Sequence, residues 1–262
     1  MNQPELSKAA EAASLLLAVR RAGPRLSALP PAVAPQNLAE AYAIQHEVLH
    51  LQGASIAGWK ATLFNASDGI CAPLAGHAVH NAPANLLATQ LPTLNSFEFG
   101  IEPEVAFTLG NDLPPLPTGA RYEREVVCAA VASAHAAIEM IGSRYLEVDA
   151  VSQLEQVADS YMNELLVLGP SCPAWRKLDL ADLPLEIRVE GKVVYQGRGG
   201  HPLADPVLPL VWLANHLSQL GSGLRAGEVI TTGSCNGVRA LKLAQTISVF
   251  FAGLGSALLA VY

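Results

Sequence analysis

The sequence predicts an α+β protein, with a helical N-terminal region over residues 1–54 and a mixed β core over residues 55–262. Two observations support this division. Up to residue 54 the apolar residues recur at helical spacing, whereas from Ser55 onward short apolar runs alternate with Gly and Pro. A length of 262 residues is enough for one large domain with a small extension.

Two helices are predicted in the N-terminal region. Residues 4–22 form the first, because their apolar side chains lie at near-helical spacing. The four prolines in "GPRLSALPPAVAPQ" then interrupt the pattern and predict a connecting loop. The second helix begins at Asn37, which has Glu40 three residues later as in a capping box. It ends at Gly53, a common residue type at helix C-caps.

The core is predicted to contain several strands and two further helices. Strands are expected at 55–61, 100–109, 135–141 and 163–168, in a hairpin at 185–196 that turns at Glu190-Gly191, and in a C-terminal pair joined by a Gly turn. Helices are expected at about 123–133 and at 205–220, where Asp205 caps and Pro206 takes the first helical position.

The composition excludes some classes of partner. Charged residues make up 15% of the chain, against about 25% in typical globular proteins, which predicts that copies cover apolar surface by forming a homo-oligomer. A net charge of −7 without any Lys or Arg cluster argues against nucleic acid. The uncharged run after Lys242 is interrupted by polar residues and Gly, so it predicts two buried strands and no membrane anchor.

The cysteines and the N-terminus predict a cytoplasmic protein. Cys71, Cys128, Cys172 and Cys235 are far apart and form no CxxC motif, so neither a zinc site nor a disulfide framework is expected. The first residues, "MNQPELSKAAEAAS", lack the order of a signal peptide.

Three glutamates in apolar runs are the candidate metal ligands. In a strand over "FGIEPEVAF", Glu102 and Glu104 lie on one face, about 6–7 Å apart, where they either face water or hold an ion. Glu139 lies among apolar residues in "HAAIEMIGSRY", and a buried carboxylate there needs a partner. Carboxylates from two neighbouring strands suit Mg²⁺ or Mn²⁺.

These motifs resemble a known family. "IEPEVAFTLG", "IEMIGSRY" and "GHPLADPVLPLVWLANHLSQLGSGLRAGEVITTGS", with "AYAIQ" and "GWKATL", are similar to the fumarylacetoacetate hydrolase superfamily. The nearest branch is that of the 2-keto-4-pentenoate hydratases and 4-oxalocrotonate decarboxylases, and the likeness covers about residues 36–258. The resemblance implies a mixed β-sandwich-like roll with a helical N-terminal arm, an Mg²⁺ or Mn²⁺ ion, and a 2-oxo acid or 2-hydroxydienoic acid as substrate.

The resemblance also implies roles for individual residues. Glu102, Glu104 and Glu139 match the metal ligands, and the family's active-site lysine falls on Lys60. The TGS loop, here Thr232, Gly233 and Ser234, is expected to contact the substrate, with Ser234 and Lys60 taking part in catalysis. Arg144 is expected to bind an acidic group of the substrate, or else to form a structural ion pair.

Three positions depart from the family pattern. Asn81 stands where related hydratases carry an acidic residue, Gly142 where they carry an aspartate, and Ser160 where they carry an asparagine. Asn81 is kept as a candidate catalytic position, although an amide cannot take the proton of the water. His77 or His80 is the alternative acid or base.

The sequence therefore predicts a hydratase, a hydro-lyase of aromatic-compound catabolism, with a divalent metal ion. Three alternatives remain open: a decarboxylase of the same pathway, a carbon–carbon hydrolase, and a non-catalytic subunit that accompanies a pathway enzyme. Hydration and decarboxylation both pass through an enolate that a bound metal ion would stabilise. The triad of Glu102, Glu104 and Glu139 therefore does not distinguish the two reactions.

Overall fold

The computed structural model describes residues 7–21, 24–87, 98–242 and 244–262. Its helices are α1 (Lys8–Arg20), α2 (Leu38–Gln52), α3 (Arg124–Ala130), α4 (Gln153–Ala158) and α5 (Val207–Gln219). Its strands are β1 (Ile56–Leu63), β2 (Gly69–Ala75), β3 (Val79–Asn81), β4 (Ala84–Leu86), β5 (Glu98–Leu109), β6 (Val131–Ile141), β7 (Asn163–Leu168), β8 (Pro184–Val189), β9 (Lys192–Arg198), β10 (Val229–Ser234), β11 (Arg239–Lys242), β12 (Gln245–Phe251) and β13 (Gly255–Val261).

The strands form two mixed sheets. The larger sheet has eight strands in the order β2-β1-β10-β5-β6-β7-β3, with β11 also paired to β5, and the smaller has five in the order β4-β13-β12-β8-β9. Both sheets contain parallel and antiparallel pairs. The two sheets share one apolar core, to which Phe107 and Ile138 contribute from the larger sheet and Ile187 and Val249 from the smaller. The predicted mixed α+β fold is confirmed.

Local signals placed the N-terminal helices correctly. The Asn37 side chain accepts a hydrogen bond from the backbone N–H of Glu40, and Gly53 ends α2 with a left-handed φ of 62°. Helix α1 lies within the predicted range, of which residues 4–6 and 22 fall outside the described part. Both helices contribute to a second apolar cluster that includes Ile70 and Val157. The boundary between residues 54 and 55 stays a prediction.

Two predicted boundaries were wrong. The helix expected at about 123–133 ends at Ala130, and the chain continues directly into β6, whose first residue, Val131, pairs with Leu109. Pairing with the neighbouring strand therefore outweighs the helical pattern. Helix α5 begins at Val207, so Pro206 precedes the helix and does not take its first position as predicted. The Asp205 carboxylate accepts from the N–H of Val207.

The predicted hairpin and C-terminal strand pair are confirmed. Strands β8 and β9 join at Glu190 and Gly191, whose φ values of 50° and 72° are those that a type I′ turn requires. Strands β12 and β13 pair along their full length, with positive φ at Gly253 in the connection and at Gly255, the first residue of β13. Among the described helices none is long and apolar enough to cross a membrane.

A glycine in β1 allows the parallel pairing of β1 with β10. Gly58 lies opposite Val229, and a Cβ atom at Gly58 would come within 2.0 Å of the Val229 carbonyl oxygen. A backbone oxygen cannot move aside without breaking the pairing. We therefore expect Gly58 to be required for the position of Lys60, two residues further along β1.

Replacing Gly58 by Ala should destabilise the protein by roughly 1–3 kcal/mol or more, the usual range for overpacking a well-packed site. Urea unfolding followed by circular dichroism measures the loss. Gly76→Ala is the matched control, since its nearest neighbour atom, Ser55 Oγ, would be 3.4 Å away. Equal stability of the two variants would contradict the role of Gly58.

Candidate active site

Strands β5 and β6 bring the three glutamates together. Glu102 and Glu139 are directly opposite each other in the antiparallel pair, and Glu104 follows two residues along β5 on the same face. One oxygen of each carboxylate lies within 4.8 Å of the others. Glu104 and Glu139 are fully buried, while the side chain of Glu102 is 16% exposed. This spacing allows one ion to contact all three.

The hydrogen bonds of the buried carboxylates leave an oxygen of each free. Glu104 Oε2 accepts from the Gly233 N–H at 2.9 Å and from the Thr231 hydroxyl. Glu139 Oε1 accepts from Asn163 Nδ2 at 2.7 Å. Among the described residues, nothing donates to Glu104 Oε1 or Glu139 Oε2, although both atoms are buried. A buried carboxylate oxygen without a donor is costly, so these atoms fit a hard cation such as Mg²⁺ or Mn²⁺.

The surroundings change the pKa of the acidic groups. Burial, followed by the neighbouring Glu139 charge, raises the pKa of Glu102 to about 6. Burial and the charges of Glu139 and Glu102 raise the pKa of Glu104 well above its ordinary value. Both shifts disfavour the ionised carboxylates, because burial removes their hydration and Lys60 offsets only part of the repulsion between the glutamates.

Lys60 is a buried member of this cluster. Its side chain is 5% exposed, and Nζ lies 3.0 Å from Glu139 Oε1 and 4.0 Å from Glu102 Oε2. Nζ also donates to the backbone carbonyl of Tyr161 at 3.1 Å. Burial alone would lower the pKa of Lys60, but the glutamates outweigh burial and raise it. The structure thus places Lys60 at the triad and not at the surface.

Glu102, Glu104 and Lys60 open into a cavity of about 490 Å³, whereas the buried Glu139 is not part of its wall. Its wall is formed by Lys60, Thr62, Leu63, Glu102, Glu104, Ile141, Tyr161, Met162, Tyr195, Gly200, His201, Pro202, Thr232, Gly233, Ser234, Cys235, Asn236, Gly237 and Val238. The TGS loop is part of this wall, but its donors are engaged within the protein. The Thr232 hydroxyl donates to Val105 O at 2.8 Å, and the Ser234 hydroxyl donates to Gly237 O at 3.0 Å.

The structure corrects the position expected for two predicted residues. Arg144 is completely buried, bonded to Asp159 and Glu164, and absent from the cavity wall, so a structural ion pair describes it and a substrate contact does not. Asn81 is exposed at the end of β3, an edge strand two strands away from β6, and does not line the cavity. The reason is topological, because β7 lies between β3 and the triad strands.

The two histidines considered as acid or base also lie outside the cavity. His77 is exposed and His80 is partly buried, and neither belongs to the cavity wall. Ser160 is likewise absent from that wall, while Gly142 donates its N–H to Met162 O at 2.9 Å at the end of β6.

Sequence reasoning missed His201. The buried His201 donates from Nε2 to Thr232 O at 2.8 Å and accepts at Nδ1 from the Leu203 N–H at 3.2 Å, because a carbonyl only accepts and an N–H only donates. Burial lowers the pKa of its ring, in keeping with a neutral imidazole. The signal in the sequence was the segment "GHPLADP", which belongs to the family likeness.

Sequence reasoning also missed the turn before β7. Ser160, Tyr161 and Met162 have φ values of 55°, 47° and 64°, a left-handed run without glycine. Each such residue costs about 1–3 kcal/mol, and strain of this kind concentrates at functional sites. The signal in the sequence was the departure from the family pattern at Ser160.

The fold and the site define an α+β protein of two packed mixed sheets, with a carboxylate triad beside a buried lysine and a cavity that Glu102, Glu104 and Lys60 line. The chain belongs to the fumarylacetoacetate (FAA) hydrolase C-terminal family, whose model matches residues 71–261. The resemblance inferred from the motifs is therefore confirmed.

Named relatives fall in the expected branch. The chain is 32% identical over 166 residues to a 2-keto-4-pentenoate hydratase of Burkholderia vietnamiensis, covering 63% of this chain and 62% of that protein. It is 32% identical over 132 residues to a 4-oxalocrotonate decarboxylase of Pseudomonas putida, covering 50% and 49%. The chain thus aligns with less than two thirds of the length of these relatives.

A solved structure shares the whole fold. The 4-oxalocrotonate decarboxylase of Pseudomonas putida G7, complexed with magnesium and adipate, superposes with a TM-score of 0.83 over 100% of both chains at 22% identity. At that identity the comparison supports the fold and not the activity. The predicted roll with a helical N-terminal arm is confirmed.

Replacing Glu139 by Gln should weaken Mn²⁺ binding by about tenfold or more, since even outer partners of metal ligands typically contribute 10–100-fold. Titration calorimetry measures the affinity, and thermal unfolding checks that the fold is retained. Glu186→Gln, on the smaller sheet, is the matched control. Equal Mn²⁺ affinity in both variants would remove Glu139 from the ligand set.

Proposed function

We propose that the protein is a divalent-metal-dependent hydratase of a 2-hydroxydienoic or 2-oxo acid in aromatic-compound catabolism. Glu102, Glu104 and Glu139 would hold Mg²⁺ or Mn²⁺, supported by the buried oxygens that lack donors. The similarity to 2-keto-4-pentenoate hydratases supports the reaction class. When bound, the cation supplies Lewis acidity toward the oxygens of a 2-oxo acid.

Lys60 has a donor left for the substrate. An ammonium group carries three N–H donors, and two of them are directed at Glu139 Oε1 and the Tyr161 carbonyl. The third is available to a substrate carboxylate or enolate oxygen in the cavity. Ser234, whose hydroxyl hydrogen is engaged by Gly237 O, offers the substrate an acceptor and not a donor.

One observation favours hydration over decarboxylation: the charge of the cavity wall. Lys60 is the single Lys or Arg among the described residues that form this wall. Residues 1–6, 22–23, 88–97 and 243, outside the described part, contain no Lys or Arg. A substrate with a second carboxylate, such as 2-oxohex-3-enedioate, would bury a charge for which the wall has no second cation. Arg239 contacts the wall residues Tyr195 and Asn236 but does not itself form the wall. The cavity therefore suits a monocarboxylic dienoate better.

A decarboxylase, a carbon–carbon hydrolase and a non-catalytic subunit have less support than a hydratase. A decarboxylase is supported by the similarity of the chain to a 4-oxalocrotonate decarboxylase. A carbon–carbon hydrolase is supported only by membership of the family. A non-catalytic subunit is disfavoured because all three glutamates and Lys60 are present, and Glu102, Glu104 and Lys60 line a cavity. Asn81 no longer argues against hydration, because it lies outside the cavity. Homo-oligomer formation and a complex with a pathway enzyme stay predictions.

A substrate comparison tests the proposed reaction. With added Mg²⁺, 2-hydroxypenta-2,4-dienoate should be hydrated, seen as loss of its ultraviolet absorbance, and a metal chelator should stop the reaction. From 2-oxohex-3-enedioate, release of carbon dioxide should be slow or undetectable, because the cavity wall offers no second cation. Rapid carbon dioxide release without hydration would assign the protein to the decarboxylases.

Lys60→Met should reduce the turnover of that dienoate by roughly 10²–10⁴-fold, the usual contribution of a positioned proton-transfer group. Mn²⁺ affinity should change little, because the three carboxylates are retained. Lys192→Met, an exposed residue of β9, is the control and should keep full activity. Full activity of Lys60→Met would limit Lys60 to a structural role.

A further inference from the structure

The left-handed turn at Ser160, Tyr161 and Met162 connects two groups of the site. The Tyr161 carbonyl accepts from Lys60 Nζ at 3.1 Å, and its ring lies 5.5 Å from the same ammonium. Asn163, the next residue after the turn, donates to Glu139 Oε1 at 2.7 Å. The conformation of this short segment therefore orients both the lysine and one member of the triad.

Arg144 holds this turn from both ends. Its Nε and backbone N–H donate to the Asp159 carboxylate, and its Nη2 donates to the Asp159 carbonyl at 2.8 Å. Its Nη1 donates to Glu164 Oε2 at 2.6 Å. Asp159 precedes the turn and Glu164 follows it, so one buried guanidinium fixes the distance between the two ends.

A second arginine ties the N-terminal arm to the same place. Arg20, the last residue of α1, donates from Nη2 to the Asn163 carbonyl at 3.3 Å. It also lies 3.9 Å from Asp159 and 3.6 Å from Glu164. Two arginines thus balance two carboxylates, which leaves no charge in this cluster for a substrate.

We propose that Arg144 and Asp159, assisted by Arg20, are positioning residues: they hold the left-handed turn that aims the Tyr161 carbonyl at Lys60 and the Asn163 amide at Glu139. The strained backbone persists because the ion pairs fix it on both sides. The effect on metal binding is independent of the reaction, whereas the effect on catalysis rests on the function proposed above.

The test uses the double variant Arg144→Met/Asp159→Asn, which removes the ion pair without leaving either partner as a lone buried charge. Thermal unfolding establishes that the variant folds. Its Mn²⁺ affinity, measured without substrate, should fall about 10-fold, as expected when a partner of a metal ligand is displaced. Unchanged Mn²⁺ affinity in the folded variant would overturn the proposal.

Kinetics separate positioning from a merely structural role. The double variant should lower kcat about 10- to 100-fold with a smaller change in KM, since Lys60 is misplaced and the cavity is retained. In a Lys60→Met background the same substitutions should lower kcat much less, because the residue through which they act is gone. An equal loss in both backgrounds would overturn the link to Lys60. A wild-type protein without turnover would refute the proposed function and leave the Mn²⁺ result to decide the positioning.

Arg20 provides a second variant in case the first does not fold. Arg20→Met removes a partly exposed side chain, and Mn²⁺ affinity should fall by about tenfold through Asn163 and Glu139, the lower end of the range for outer partners. Arg21→Met, the exposed neighbour on the same helix end, is the matched control and should bind Mn²⁺ normally. Identical Mn²⁺ affinities in the two variants would overturn the proposal.

Discussion

Bringing Glu102, Glu104 and Glu139 within reach of one ion is costly, because buried like charges repel and each loses its hydration. Lys60 offsets one of the three charges and leaves two unbalanced when all three glutamates are ionised. The divalent cation proposed above would supply that balance. The same requirement explains why the two wholly buried glutamates, Glu104 and Glu139, each keep an oxygen without a donor.

Four paired strands place the charged groups of the site next to each other. Strands β5 and β6 place the carboxylates opposite each other, β10 supplies donors to Glu104, and β1 brings Lys60 beside them. On the reverse face of β5, Ile101, Val105 and Phe107 belong to the core shared with the smaller sheet. Apolar packing on this face offsets the cost of burying the carboxylates on the other face.

Two charge clusters of different kinds lie next to each other. Around Arg144 the positive and negative groups are equal in number and enclosed, so the cluster holds structure. Around Lys60 the negative groups are in excess, and the cluster borders the cavity, so it can bind a cation. The turn that contains Tyr161 joins the two. The balance of charge in a cluster therefore distinguishes a structural role from a binding role better than the types of residue do.

The sequence by itself determined the features that depend on nearby residues. The shared face of Glu102 and Glu104, the caps at Asn37 and Gly53, and the turn at Glu190 follow from strand alternation, capping and turn geometry, each within a few residues. The motifs also indicated the family, which is confirmed, and by resemblance they predicted the triad and Lys60 as site residues.

Tertiary structure alone decided which distant residues meet. Lys60 and Tyr161 are 101 positions apart, and the contact between them depends on the order of strands in the larger sheet. The same order leaves Asn81 outside the cavity, and the partners Asp159 and Glu164 keep Arg144 in the interior, although its motif had suggested a substrate contact. Local sequence patterns cannot predict these contacts and positions, because sheet topology and charge pairing depend on the whole chain.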